Sequence, residues 1–286
     1  MNSKISSWFQ RHALETYFGL AYAITWAVWI PIALSARGLL NVQIPAWLYY
    51  LGSFGPMCAA LIVTTLTEGR QGIERLLARL IKWRIGFRYY LFAILGPLGL
   101  FALAASINRV VSGAWPDLAL LGKVDYLPTI GAPVALLLWL FTYGLGEEIG
   151  WRGFALPHLQ TKHSAATSAL ILGAVWTCWH IPAFFFRDTY MAMGFFVLPA
   201  VLVSITFASI IFTWLYNSTS GSLLIVIIFH ALFDWLSVSD AGGQYAAIIM
   251  GIAVVLWAVF IMRRYGPMNA APVDKQILYS NTPSQN

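Results

Sequence analysis

Residues 130–156 read IGAPVALLLWLFTYGLGEEIGWRGFAL, an apolar run interrupted by Glu147, Glu148 and Arg152. A helical membrane span needs about 20 mostly apolar residues, so this run can cross a bilayer with some tilt. Each ionisable group at the centre of an inserted helix costs about 2.5–3.5 kcal/mol, and three in one span point to a use for them. Working outward, seven further runs appear: Tyr17–Ala36, Ile44–Leu66, Tyr89–Ile107, Ser168–Phe186, Gly194–Tyr216, Ser222–Val238 and Tyr245–Met262. The expected fold is all-α, a polytopic membrane helix bundle of about eight transmembrane helices. Pro157 is expected to stop the long fourth helix.

Composition agrees with the pattern. Hydrophobic residues make up 59% of the 286 and charged residues 10%, far below the roughly 25% charged of a soluble domain. No polar linker divides the runs, so residues 1–266 read as one membrane domain with its motif core at 130–238. Residues 267–286 read as a polar C-terminal tail, expected to be disordered. Lys4 and Arg11 precede the first run, but no small-residue cleavage site follows, so that run is expected to stay as a helix. Cys58 and Cys178 lie in apolar stretches without a CxxC spacing and read as small packed hydrophobes.

The net charge of +6 is explained by basic residues flanking spans, and nucleic acid is not an expected partner. With the N-terminus inside, 13 of the 17 Lys and Arg fall on the inner side, and Arg37, Arg109, Lys123 and Arg187 fall outside. The positive-inside rule therefore puts both termini in the cytoplasm. Glu68–Arg88 contains ERLLARLIKWRIGFR, with Leu76, Leu77, Leu80 and Ile81 on one face and Arg75, Arg79 and Lys82 elsewhere. This segment is expected to lie as a helix in the cytoplasmic interface.

Three polar patterns inside the runs carry chemistry. Glu148 and Arg152 are i,i+4 neighbours and can pair, while Glu147 points about 100° away and is left for another partner. A carboxylate so placed can act as a general base. Gly146 and Gly150 share a face that lets a neighbouring helix come close. In WTCWH at 176–180, Trp176 and His180 face the same way, and Pro182 weakens the helix just beyond. His230 and Asp234 are again i,i+4, as for a histidine oriented by a carboxylate. Each pattern alone has a structural alternative, an ion pair or an interhelical hydrogen bond. Together they read as a site. Glu147, His180, His230 and Asp234 are also candidate metal ligands, with zinc the alternative cofactor. The HExxH helix of common zinc proteases is absent, and a water activated directly by Glu147 requires no cofactor.

With EEIGWR at 147–152, WTCWH at 176–180 and HALFD at 230–234, the chain resembles the CPBP intramembrane proteases. That family includes the type II CAAX prenyl endopeptidases and bacteriocin-processing or immunity proteins, and its pattern is EExxxR, FxxxH, then HxxxN or HxxxD. KWRIGFRYY at 82–90 is similar to the family's segment before the third span. The resemblance implies an endopeptidase in a prokaryotic cell membrane, acting on a peptide or lipidated peptide of CAAX or leader type. It implies that Glu147 and His180 activate water and that His230 and the residue at Asp234 stabilise the oxyanion. Glu148, Arg152 and Trp176 would support the site or hold the substrate terminus. Trp176 replaces the usual Phe, a change read as one of size more than of role. Asp234 stands where the prenyl proteases carry Asn. An ionised Asp cannot donate to an oxyanion, so unless it is protonated Asp234 would orient His230 or ligate a metal instead. Two other functions fit less well: a non-proteolytic immunity or scaffold protein of the same fold, and a proton-coupled transporter relaying through Glu147, His180 and His230. The lack of internal repeats argues against the transporter.

Overall fold

The computed structural model describes residues 8–124, 127, 130–193 and 198–278. Each apolar run is helical where described, and the start of the sixth, residues 194–197, lies outside the described residues. The long helices among the described residues are α1 (Ala13–Ala36), α2 (Gly55–Ala78), α3 (Phe87–Ser112), α4 (Ala132–Lys162), α5 (Ala165–Trp179), α6 (Leu198–Ser218), α7 (Leu223–Ser237) and α8 (Gly243–Tyr265). Among the described residues seven helical stretches are long and apolar enough to cross a membrane, as in an integral multi-pass membrane protein.

α7 is the exception. Its 15 residues reach about 22 Å, short of the roughly 30 Å hydrocarbon layer. It still joins the two ends of the bundle. At its start the Leu223 amide donates to the Arg79 carbonyl, and past its end the Asp240 amide donates to the Lys123 carbonyl. The loops fold inward to meet it, with the Gly122 amide donating to Ser239 Oγ at 2.9 Å. α7 packs against α3, α4 and α6, which makes it central.

Lys82 and Arg37, expected on opposite sides, lie at opposite ends of the bundle. One end joins residues near both termini: Gln10 donates to the Thr67 carbonyl, the Ala165 amide to that of Met268, and Lys82 to that of Ser220. At the other end Arg37 donates to the Phe185 carbonyl. The tail is a correction. Through residue 278 it is bound to the bundle, not disordered. Asn217 donates to the Asn269 carbonyl and accepts from the Gln276 amide, and Gln160 donates to the Gln276 carbonyl. Cys178 is exposed and so is not the packed hydrophobe expected; Cys58 is half-buried, and both are free thiols.

The interfacial helix is a second correction. α2 kinks at Gly69, whose φ of 63° lies in the left-handed region that glycine tolerates. The amphipathic arm beyond it ends at Ala78; Arg79 then turns into the bundle toward the Gly153 carbonyl, while Lys82 stays exposed and donates to the Ser220 carbonyl.

A third correction explains itself through Arg79. Pro157 does not stop α4, which runs on to Lys162. A proline in a helix leaves the carbonyl four residues earlier without its N–H partner. Here that carbonyl belongs to Gly153, and Arg79 Nη1 donates to it at 2.8 Å while also reaching the Tyr216 hydroxyl. Arg79→Met should therefore lower stability by about 1–3 kcal/mol, the cost of stranding a buried acceptor. Thermal unfolding in detergent reads this directly, and an unchanged midpoint would show that the proline needs no such partner.

Candidate active site

α4 is not a uniform α-helix. Leu140–Glu147 and Trp151–Ala155 are π-helical, and such widened turns recur at functional sites. Glycines then bring two neighbours onto it. A Cβ on Gly146 would sit 2.8 Å from the Ser53 carbonyl oxygen, and one on Gly150 2.5 Å from that of Pro56. A Cβ on Gly144 would sit 2.7 Å from Ile227 Cγ2, so α7 also lies against α4. Ile227 is one turn before His230, and this approach delivers the histidine to the carboxylates.

Two hydrogen-bonded groups result. In the first, Arg152 Nη1 donates to Glu148 Oε1 at 2.9 Å, as the i,i+4 spacing predicts. The same oxygen lies 2.7 Å from His230 Nδ1. His230 Nε2 in turn faces Asp234 Oδ2 at 3.4 Å, the second i,i+4 pair. Both ring nitrogens of His230 thus face carboxylate oxygens, and both contacts are made in full when each nitrogen carries a hydrogen.

In the second group, Trp176 Nε1 donates to Glu147 Oε2 at 2.8 Å, and the Trp176 carbonyl lies 2.7 Å from His180 Nδ1. A carbonyl only accepts, so Nδ1 carries the hydrogen and His180 Nε2 is left as an acceptor. α1 fixes this end of α5, with Tyr22 and Trp26 donating to the carbonyls of Val175 and Trp179. Beyond His180 the chain tightens into a 3-10 turn over Ile181–Phe185 at Pro182, as expected of a proline there.

Trp176 joins the groups. The Arg152 guanidinium lies 4.6 Å from its ring and 4.3 Å from that of Phe212. The His230 ring meets Trp176 edge-on, with centroids 5.4 Å apart. Glu147, Glu148, Arg152 and His230 are all buried, whereas the Asp234 side chain is 25% exposed.

The seven residues singled out by sequence therefore converge on one centre, with one reading corrected. Trp176 differs from Phe in role and not only in size, because its N–H holds Glu147. Its donor was visible in the sequence; its target was not. Ser209 and Phe212 on α6 went unnoticed, although Ser209 Oγ lies 3.4 Å from Arg152 Nη2 and Phe212 packs on His230. A lone serine and phenylalanine in an apolar run give no signal by themselves.

Among the described residues no group of three or more His, Cys, Asp or Glu is disposed to hold an ion. Both His230 nitrogens already face carboxylate oxygens.

Fold and site define a polytopic helical membrane protein with a buried carboxylate–histidine centre. Residues 129–236, the segment that holds all three motifs, match the family model of type II CAAX prenyl endopeptidase Rce1-like proteins. The chain is also 30% identical over 122 residues to CAAX prenyl protease 2 of Methanococcus maripaludis. That alignment covers 39% of this chain and 40% of the relative, so the chain spans about two fifths of the length of the curated protein it matches. Both similarities support the resemblance to the CPBP/CAAX protease family read from the motifs.

Trp176→Phe tests the corrected reading. Hydrogen bonds to charged groups contribute about 1.5–3 kcal/mol, and 1.4 kcal/mol is tenfold in rate. If Glu147 acts as base, kcat should fall roughly tenfold with KM little changed. Equal rates would mean that the indole N–H does not position Glu147.

Proposed function

We propose that this chain is an intramembrane endopeptidase that hydrolyses a peptide bond of a membrane-associated substrate, of CAAX or leader-peptide type, in a prokaryotic cell membrane. One observation carries the reading: Trp176 holds Glu147 with its N–H and His180 with its carbonyl, so two proton acceptors are fixed by one residue. In the proposed reaction Glu147, with His180, takes a proton from water as the oxygen adds to the scissile carbonyl carbon. The same proton then goes to the leaving nitrogen as the C–N bond breaks. His230 Nε2–H, held by its longer 3.4 Å contact, is the donor that can turn to the oxyanion. Asp234 orients that ring in place of donating itself, and Glu148 with Arg152 fixes its other side.

The test is product mass spectrometry on membranes carrying the wild-type chain or Glu147→Gln. Peptide products present with the first and missing with the second support hydrolysis. Identical profiles would favour the immunity or scaffold reading. Retention of activity after exhaustive chelation is expected; loss with rescue by zinc would make the histidines ligands instead.

A further inference from the structure

At the end of the bundle that carries the termini, α3, α6 and α8 meet around an open cleft of about 290 Å³. Arg88 from the first turn of α3 and Arg264 from the last turn of α8 line it, with Tyr89, Phe92, Trp214 and Tyr265. No Asp or Glu is among its described lining residues. Both arginines are exposed, and neither has a carboxylate partner among the described residues. Arg88 Nη2 donates to the Tyr89 hydroxyl at 2.9 Å, a neutral partner that leaves the charge uncancelled. A larger cavity of about 420 Å³ at the same end differs, because its arginines are already engaged: Arg75 by Glu68 at 2.6 Å, and Arg79 by the Gly153 carbonyl. Deeper in the membrane the two helix faces under Arg88 and Arg264 are apolar. Leu91 and Leu95 follow Arg88 by three and seven positions, and Phe260 and Leu256 precede Arg264 by four and eight, so they share the arginines' faces. All four are exposed within apolar spans, where exposure means contact with hydrocarbon.

We propose that this cleft holds the headgroup of an anionic phospholipid, its phosphate between Arg88 and Arg264 and its acyl chains along Leu91, Leu95, Leu256 and Phe260. The basic-residue asymmetry puts this end of the bundle in the cytoplasm, so the lipid belongs to the inner leaflet. Guanidinium groups bond phosphate oxygens through charge-assisted hydrogen bonds, and basic clefts between spans on this side suit anionic headgroups. Small-molecule sites begin at about 300 Å³, so the cleft has room for a headgroup while the chains stay in the bilayer. A zwitterionic lipid would bring an ammonium for which the cleft has no acid. Free phosphate would leave the apolar faces without a role. A bound lipid would join α3, α6 and α8 at one end. α6 also carries Phe212, which packs on His230 and precedes Trp214 of the cleft by two positions. The lipid thus stabilises an element that backs the buried centre, whether or not that centre hydrolyses peptides.

The test uses the full chain purified in neutral detergent and titrated with phosphatidylglycerol, followed by intact-complex mass spectrometry and by unfolding midpoint. A single phosphatidylglycerol should bind more tightly than phosphatidylcholine and should raise the midpoint, since a ligand of the native state stabilises it. Arg88→Gln and Arg264→Gln should each weaken that binding about tenfold or more, because each removes a hydrogen bond between charged groups. Arg263→Gln removes the neighbouring exposed charge outside the cleft and should change binding by less than about twofold. Lipid-free midpoints of the variants separate loss of binding from loss of fold. Equal losses in all three variants would reduce the effect to general surface charge and overturn the proposal. Phosphatidylcholine binding as tight as phosphatidylglycerol, measured on the wild-type chain alone, would overturn it as well. So would displacement of the lipid by an equal concentration of inorganic phosphate, which would make the cleft an anion site without regard to lipid.

Discussion

Glu147→Gln should reduce peptide cleavage by roughly 10²–10⁴-fold, the usual contribution of a general base. The amide keeps the size of the side chain and an oxygen for the Trp176 N–H, so the fold should survive. What it loses is the ability to take a proton from water. The loss should appear in kcat, because the base acts in the transition state and not in binding. Product appearance in purified protein, with unfolding midpoint as the control, separates the chemistry from the fold. Near-normal cleavage by a well-folded Glu147→Gln protein would remove Glu147 from the role of base.

How much of this centre can be read from sequence depends on how far apart the partners lie. Glu148–Arg152 and His230–Asp234 are one helical turn apart, and periodicity alone pairs them. Apolar runs likewise mark α1 to α8, since hydrocarbon demands them. The Glu148–His230 contact joins residues 82 positions apart and depends on Gly144 admitting α7, which no local rule reports. The π-turns are hidden for a related reason, because the extra residue per turn is set by what packs against α4. Pro157 shows the limit of a local stop signal. Its penalty is real, but an arginine 74 positions from the stranded carbonyl answers it. The tail misleads by composition. Its polar side chains read as solvated, yet its backbone is tied down, with Asn217 and Gln160 of the bundle donating to the carbonyls of Asn269 and Gln276.

The largest effect on stability is expected at Arg152. Its guanidinium is fully buried, bonded to Glu148 and held between the rings of Trp176 and Phe212. Arg152→Met removes the charge, keeps much of the volume, and leaves Glu148 buried with His230 as its remaining bonded partner. Breaking a buried pair by removing one partner costs about 3–5 kcal/mol, a large part of a typical folding free energy. Arg152→Lys should cost less but still weaken the fold, since a lysine lacks the flat fork that both bonds and stacks. The decisive comparison is Arg152→Met combined with Glu148→Leu. Replacing both charges with apolar groups is often neutral or better, so stability should return toward wild type. Activity should not return, because His230 Nδ1 has then lost the carboxylate that orients it. Unfolding midpoints in detergent measure the first part and product formation the second. If the double variant recovers both, the buried pair serves the fold alone and His230 needs no anchor from Glu148. If the single Arg152→Met variant unfolds like wild type, the cation is not what makes a buried carboxylate tolerable here, and His230 alone must suffice.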